Sequence, residues 1–373
     1  MTGAFEEGER NYSPVQLTGF VDMCEQPARV RPRQLSRVEI KDLTRRESLV
    51  YKEQRAVWHA NLGPIRTAQL RELHEGLAEI VDSNRQDGDR VKPSAVVDAF
   101  PGLGKTTAVL DYVKKYHLDQ ILVHGATTPG GHRRVPVVNI TLTGNITIRG
   151  LNEAICRFYE LPETGNADQL AARAARAARA MCTTVIVVDD IHFLDLRRTN
   201  HRVVANHFKH LSTLFPVTFI YVGVGVEARG VLTDGLGDED VDLAQAARRM
   251  TTLTLPPFIV DTEAGRVQWR QLMLTIEQLL VLGDAYRGML AEDLADYLYA
   301  RSTGHFASLM TLVARGCRRA VDSGEERLTV DLMDTVKNDV AAERGRLELQ
   351  AELEAGTLTT KPRRKKKGPG WRP

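Results

Sequence analysis

The sequence predicts an α/β protein: a parallel sheet covered by helices, followed by a smaller all-α unit. Three observations carry this. Short, uninterrupted runs rich in Val and Ile recur between helix-like stretches from about residue 94 to 255, and strands of that kind are buried on both faces of a parallel sheet. A Gly-rich turn joins the first of these strands to a helix. From Thr262 onward the apolar spacing is helical throughout,.

Taken in order, the first 85 residues show no strong strand pattern. Between Arg29 and Arg55 there are nine basic residues against four acidic ones, which reads as a basic arm. After Gly63-Pro64 a helix is expected over Thr67 to Asn84, with Leu70, Leu73, Leu77, Ile80 and Val81 at helical spacing,. A linker follows around Gly88. Ser94 to Phe100 reads as a strand, Lys105 to about Tyr116 as a helix, and Val135 to Leu142 as a β-branched strand,. Helices are expected from about Asn152 to Tyr159 and through AARAARAARA at 171–180. The remaining strands are Thr184–Val188, Val217–Val222 and Thr251–Leu255. Four helices then follow, at Trp269–Leu282, Glu292–Ala300, Ala307–Val321 and Val330–Gln350. The expected organisation is a basic helical arm at 1–85, an α/β domain at 86–258, a helical unit at 259–350 and a disordered basic tail at 351–373.

Charge and composition exclude several classes. The 373 residues carry 50 Lys+Arg and 48 Asp+Glu, a net of +2. Residues 361–373 hold seven of the basic residues and no acidic one, so the rest of the chain is acidic by five. A uniformly basic nucleic-acid coat is thereby excluded, while local basic patches are not. No apolar run approaches a membrane span, and MTGAFEEGER lacks the apolar core of a secretory signal,. Cys24, Cys156, Cys182 and Cys317 are scattered without a CxxC pair, which points to idle thiols in a reducing cytoplasm. The arginines at 173, 176 and 179 read as a solvated helix face, with a DNA-contacting face as the alternative. The basic tail reads as a DNA contact, a partner-docking segment or a solubilising run.

The chemistry concentrates at Ala99-Phe-Pro101-Gly102-Leu103-Gly104-Lys105-Thr106-Thr107. At the end of a strand and the start of a helix, this is the phosphate-binding loop pattern. Gly102 and Gly104 allow several N–H groups to turn toward one point beside a helix N-terminus, which favours an anion. Lys105 supplies charge for β- and γ-phosphates, and Thr106 a hydroxyl for Mg²⁺. The first Gly of the pattern is replaced by Ala99. A neighbouring buried strand ends in Asp189-Asp190, where Asp189 would hold Mg²⁺ and Asp190 would polarise the attacking water. The other reading of that pair is a helix cap. Arg229, Arg248 and Arg249 are candidates for neutralising charge on a γ-phosphate from a neighbouring subunit, Arg249 foremost. Each also reads as a helix-terminal cation. His192 reads as a loop residue, with phosphate sensing as the alternative.

These residues resemble the AAA+ ATPases of DNA transposition of the TniB/TnsC type. The likeness lies in the loop at 99–107 and in the acidic pair followed by Ile191-His192. It continues through Lys209, Leu211 and Ser212 to the Val222-Gly223 turn, and on through Glu227-Ala228 and QAARRMTTLTLPPF. RAVWHANLGPIRT at 55–67 and the helical stretch ARSTGHFASLMTLVARGCRRAVDSG are similar to that family's N-terminal segment and lid. The resemblance spans about residues 40 to 340. It implies an AAA+ P-loop fold with a C-terminal lid, and use of ATP and Mg²⁺. The implied partners are double-stranded DNA, a DDE transposase with an accessory target-selection protein, and further copies of the chain in a ring or filament, with Arg249 acting on the neighbour's nucleotide. Three departures are visible. Asp190 stands where many relatives have Glu, the turn Gly223-Val-Gly225 lacks a polar sensor, and Thr303 to Ser308 lacks the arginine some relatives carry in the lid. Arg301 and Arg315 are the nearest substitutes. Two other classes compete: a loader or signalling P-loop NTPase, and a DNA-binding scaffold that holds ATP with little turnover.

Overall fold

The structure is a computed structural model that describes residues 10, 12–86, 92–144, 146–193, 214–215, 217–225 and 249–363, without the side chain of His192. The chain divides into two compact units. One is built from residues 10–27 and 69–256, the other from residues 28–68 and the part from 257 onward.

The first of these is the α/β unit. It begins with α1 (Leu17–Glu25), and its sheet has five strands: β1 (Ser94–Asp98), β2 (Val137–Thr141), β3 (Val185–Asp189), β4 (Thr218–Gly223) and β5 (Met250–Thr254). They lie in the order β2-β3-β4-β1-β5, every pairing parallel. The expected buried strands are all present. β1, β3 and β4 are covered on both faces, whereas the edge strand β5 is largely exposed. Around the sheet, in chain order, stand a helix at Ala68–Ser83, one at Lys105–His124, one at Ile148–Phe158 and one at Ala167–Ala180. Counting α2 (Arg37–Lys41) and α3 (Arg45–Ala60) of the other unit, these are α4, α5, α6 and α7.

α4 buries Leu70, Leu73, Leu77, Ile80 and Val81, the stripe its spacing predicts. α7 starts at an Asn166/Gln169 capping box and buries Leu170, Ala171, Ala174, Ala175 and Ala178,. Its alanines form the packed face. Arg173 and Arg179 donate to backbone carbonyls at Thr164 and Leu214, and both Arg176 and Arg179 are exposed. α5 runs eight residues beyond the expected end at Tyr116 because no stop signal occurs before Gly125, whose φ is 79°,.

The second unit is all-α. It comprises α2, α3, α8 (Glu263–Leu279), a π-turn (Met289–Asp293), α9 (Ala295–Ser302), α10 (Phe306–Ser323), α11 (Val330–Asp334) and α12 (Val340–Glu354). The single helix expected over 330–350 is thus two, broken at Thr335–Asp339, where Asp339 caps α12 through the Ala342 amide.

Here two expectations are corrected. The arm expected as one piece over 1–85 is divided. Residues 10–27 and 69–85 pack into the α/β unit, while residues 28–68 build into the helical one. The reason is a set of side chains on the arm that satisfy the backbone of Leu279 to Leu282. Trp58 Nε1 donates to Leu279 O, Arg31 to Leu280 O and Gln34 to Leu282 O, and His59 Nε2 accepts from Val281 N. Arg55, 1% exposed, meets Glu326 Oε2 at 2.6 Å, and Glu326 also accepts from Gly283 N. The disordered tail expected from 351 is also corrected. Residues to Glu354 are helical, and Thr360 is 1% exposed because its amide donates to Asp296 Oδ1. Residues 364–373 lie outside the described part. Cys24, Cys156 and Cys317 are buried thiols.

Candidate nucleotide site

β1 and β3 end at the same carboxyl edge of the sheet, separated by β4. Open parallel sheets bind ligands at that edge. The Gly-rich loop leaves β1 there. Gly102 and Gly104 have φ of 80° and 83°, left-handed values open to glycine, and Gly104 is the N-cap of α5,. Ala99 is not among the residues of positive φ, and its buried methyl packs into the core while its amide donates to Gly223 O at 3.3 Å. The substitution of Ala for the first Gly therefore costs the loop nothing. Leu103 anchors the loop in the core, while Pro101, Gly102, Thr106 and Thr107 face solvent.

The acidic pair is brought to the loop. Thr106 Oγ1 donates to Asp189 Oδ2 at 2.8 Å, and Asp190 N donates to Asp189 Oδ1 at 2.8 Å. Asp189 is 4% exposed. Burial pushes its carboxyl above the ordinary value, opposed by these two hydrogen bonds and by the nearby Lys105 charge,. A buried carboxylate, a hydroxyl bonded to it and a lysine within electrostatic reach form an oxygen-rich donor set beside an anion cradle. That set fits Mg²⁺ with a nucleoside triphosphate: Thr106 and Asp189 would hold the ion, and Gly102 to Thr107 the phosphates. Asp190 follows at φ 54°, at the start of the turn Ile191–Phe193. Thr141, opposite Asp189 in the β2–β3 register, is a further hydroxyl at this edge. Its place at the end of VPVVNIT is the sequence signal for it.

Arg249 is not brought to this site. It immediately precedes β5, and its carbonyl accepts from Ser94 N at the start of β1. It therefore lies at the amino edge of the sheet, about 15 Å along the strands from the chain's own phosphate loop. Arg229 and Arg248 lie outside the described residues. The two lid substitutes are engaged within the helical unit. Arg301, 2% exposed, donates to Met333 O, Val336 O and Glu343 Oε1, and Arg315 donates to Lys337 O.

The sheet order, the loop after β1 and the acidic pair after β3 define an AAA+ P-loop fold with a helical C-terminal region, as the sequence predicts. Residues 89–232 match the family model described as an AAA domain. No curated protein matches the chain. Among solved structures it is similar to Cdc6p from Pyrobaculum aerophilum, with 16% identity and a TM-score of 0.51, over 71% of this chain and 65% of that one. It is also similar to the Orc1 protein of Aeropyrum pernix, solved in complex with DNA, with 15% identity and a TM-score of 0.52 over 80% and 71%. The chain spans 65% of the length of the first of these. At such identities the likeness is one of fold.

Proposed function

We propose that this chain is an ATP-hydrolysing switch of DNA transposition, which binds duplex DNA when loaded with ATP, assembles with further copies of itself and recruits a transposase. The observation that carries the reading is the separation of Arg249 from the chain's own phosphate loop within one sheet. An arginine at the amino edge is out of reach of its own chain's phosphate loop, so as a finger it would serve the nucleotide of another molecule, and the site would be completed by assembly.

In that assembly the amides of Gly102 to Thr107 and Lys105 bind the phosphates, and Thr106 with Asp189 would hold the metal. Mg²⁺, when bound, supplies charge neutralisation on the β- and γ-oxygens. Asp190 orients the attacking water and accepts its proton, and the neighbour's Arg249 stabilises charge developing on the γ-phosphoryl group. The transposition assignment, with a DDE transposase and a target-selection protein as partners, is supported by the sequence resemblance over the acidic pair and the segment that follows. DNA association is supported by the similar fold of the Aeropyrum protein, whose structure contains DNA.

Electron microscopy with ATP and duplex DNA tests the reading. Rings or filaments are expected with the wild type and none with Lys105→Ala; wild-type-like behaviour of that variant would sink it. Steady-state ATPase with and without duplex DNA separates this switch from a scaffold of little turnover, a second reading favoured by the short reach of Asp190. Capture of the transposase only in the presence of ATP and DNA tests the partner.

A further inference from the structure

Among the described residues of the α/β unit, one strongly basic surface is not used by the nucleotide site. From Gln120 to Asn152 the chain has no Asp or Glu, while it carries His124, His132, Arg133, Arg134 and Arg149. Asp and Glu make up 48 of 373 residues, so a run of this length would ordinarily hold about four. His132, Arg133 and Arg134 sit in a short hairpin between α5 and β2, and His124 lies just before it.

The hairpin, residues 125–134, is fixed by its own hydrogen bonds. Thr127 and Arg133 form an antiparallel bridge. Thr128 N donates to His132 O at 2.8 Å, Gly131 N to Thr128 O at 2.9 Å and Arg134 N to Ala126 O at 2.8 Å. The Thr128 hydroxyl, in a residue 5% exposed, accepts from His132 N, and Arg134 Nε donates to Gly125 O. Gly131 has a φ of 79° and open space where a Cβ would be. The tip therefore presents Gly130, Gly131, His132 and Arg133 to solvent on a preset backbone, and Arg133 has no acidic partner among the described residues.

Position separates this surface from the phosphate loop. α5 starts at Lys105 and its 20 residues span about 30 Å,, and the hairpin stands at its far end. It also lies at the amino edge beside β2, four strands from β5 and Arg249, or about 19 Å across the sheet,.

We propose that the 125–134 hairpin is the element of the α/β unit that contacts the phosphate backbone of duplex DNA. This rests on the DNA-binding part of the proposed function and names the element responsible. A turn fixed by its own hydrogen bonds, with exposed arginine charge and glycines that admit close approach, suits a phosphate backbone, and its side chains carry no base-reading amide,. The arm, by contrast, uses much of its charge internally. Arg55 pairs with Glu326, Arg37 with Asp284, Arg33 with Glu39 and Lys52 with Asp322, and Arg31 donates to Leu280 O.

The test is the salt dependence of duplex-DNA binding by the full chain with ATP, for wild type, Arg133→Gln and the double variant Arg133→Gln/Arg134→Gln. Each lost phosphate contact lowers the slope of log K against log salt by about one. The expected result is a slope reduced by about one in the single variant and about two in the double, with ATP binding and melting temperature of the single variant unchanged. Wild-type slopes in both variants would overturn the assignment. So would an unchanged slope accompanied by loss of assembly, because a protein would then occupy this surface through the neighbouring exposed Leu122 and Val123. A wild type that fails to bind DNA at any salt would instead overturn the DNA-binding part of the proposed function.

Discussion

Asp190 holds a backbone conformation that Asp and Asn adopt more readily than Glu, at φ 54°,. This accounts for the shorter acid at a position where the resembling family often has Glu. Asp190→Glu is expected to lower stability by about 1 kcal/mol in urea unfolding, and steady-state ATPase of the same protein reports whether the longer reach compensates. A second expectation concerns two buried imidazoles. Burial lowers His59 and His117 from the ordinary value to about 4, and each is 3% exposed. Because the folded form holds these rings neutral, their contribution is complete above pH 6.5 and is lost as the pH falls from there toward 4, where the unfolded chain binds the extra protons. Each ring is worth on the order of 3 kcal/mol over that window. His59→Gln, which keeps an acceptor for Val281 N–H, is expected to flatten the decline, read as denaturation midpoints between pH 7 and pH 4.5.

At the scale of elements, α7 carries its arginines on the solvated side, as its sequence suggests, and its alanines on the packed one. Ala174 is fully buried, so Ala174→Leu overpacks the helix against its neighbours and is expected to cost about 1–3 kcal/mol, measured by chemical denaturation. The strands, the loop after β1 and the acidic pair were legible because their residue types are dictated locally, by two-faced burial and by left-handed glycines. The Ala99 departure was legible as a departure, but its harmlessness depends on a backbone angle. α2 and α3 were not legible. Their start signals, Ser36 with Glu39 and Thr44 with Glu47, are complete capping boxes, yet the buried stripe of α3 is Tyr51, Arg55 and His59, two of them polar. Arg55 reads as surface charge until Glu326, 271 residues away, is brought beside it. Thr360 is illegible for the same reason, since its partner Asp296 is 64 residues distant.

For the whole molecule, the proposed sharing of a site between copies makes a prediction that neither copy makes alone. Lys105→Ala has no working phosphate loop and Arg249→Ala no finger, so each is expected to be inactive. Mixed in equal amounts with DNA, they are expected to recover part of the ATPase activity, because some junctions join an intact loop to an intact arginine. Activity of the mixture equal to the sum of the separate proteins would place Arg249 outside the reaction. The division into units has a consequence of another kind. The chain passes from one unit to the other near residues 27, 68 and 256, so the helical unit is assembled from two pieces almost 190 residues apart. On the ribosome, α3 emerges early, but Leu279 to Asp284 and Glu326 are made some 220 to 270 residues later, roughly 10–55 s at ordinary elongation speeds. During that interval Arg55, Trp58 and His59 have no native partners. The α/β unit can close first, and the amphipathic stretch ahead of it waits for the end of translation, when a chaperone would have most reason to hold it.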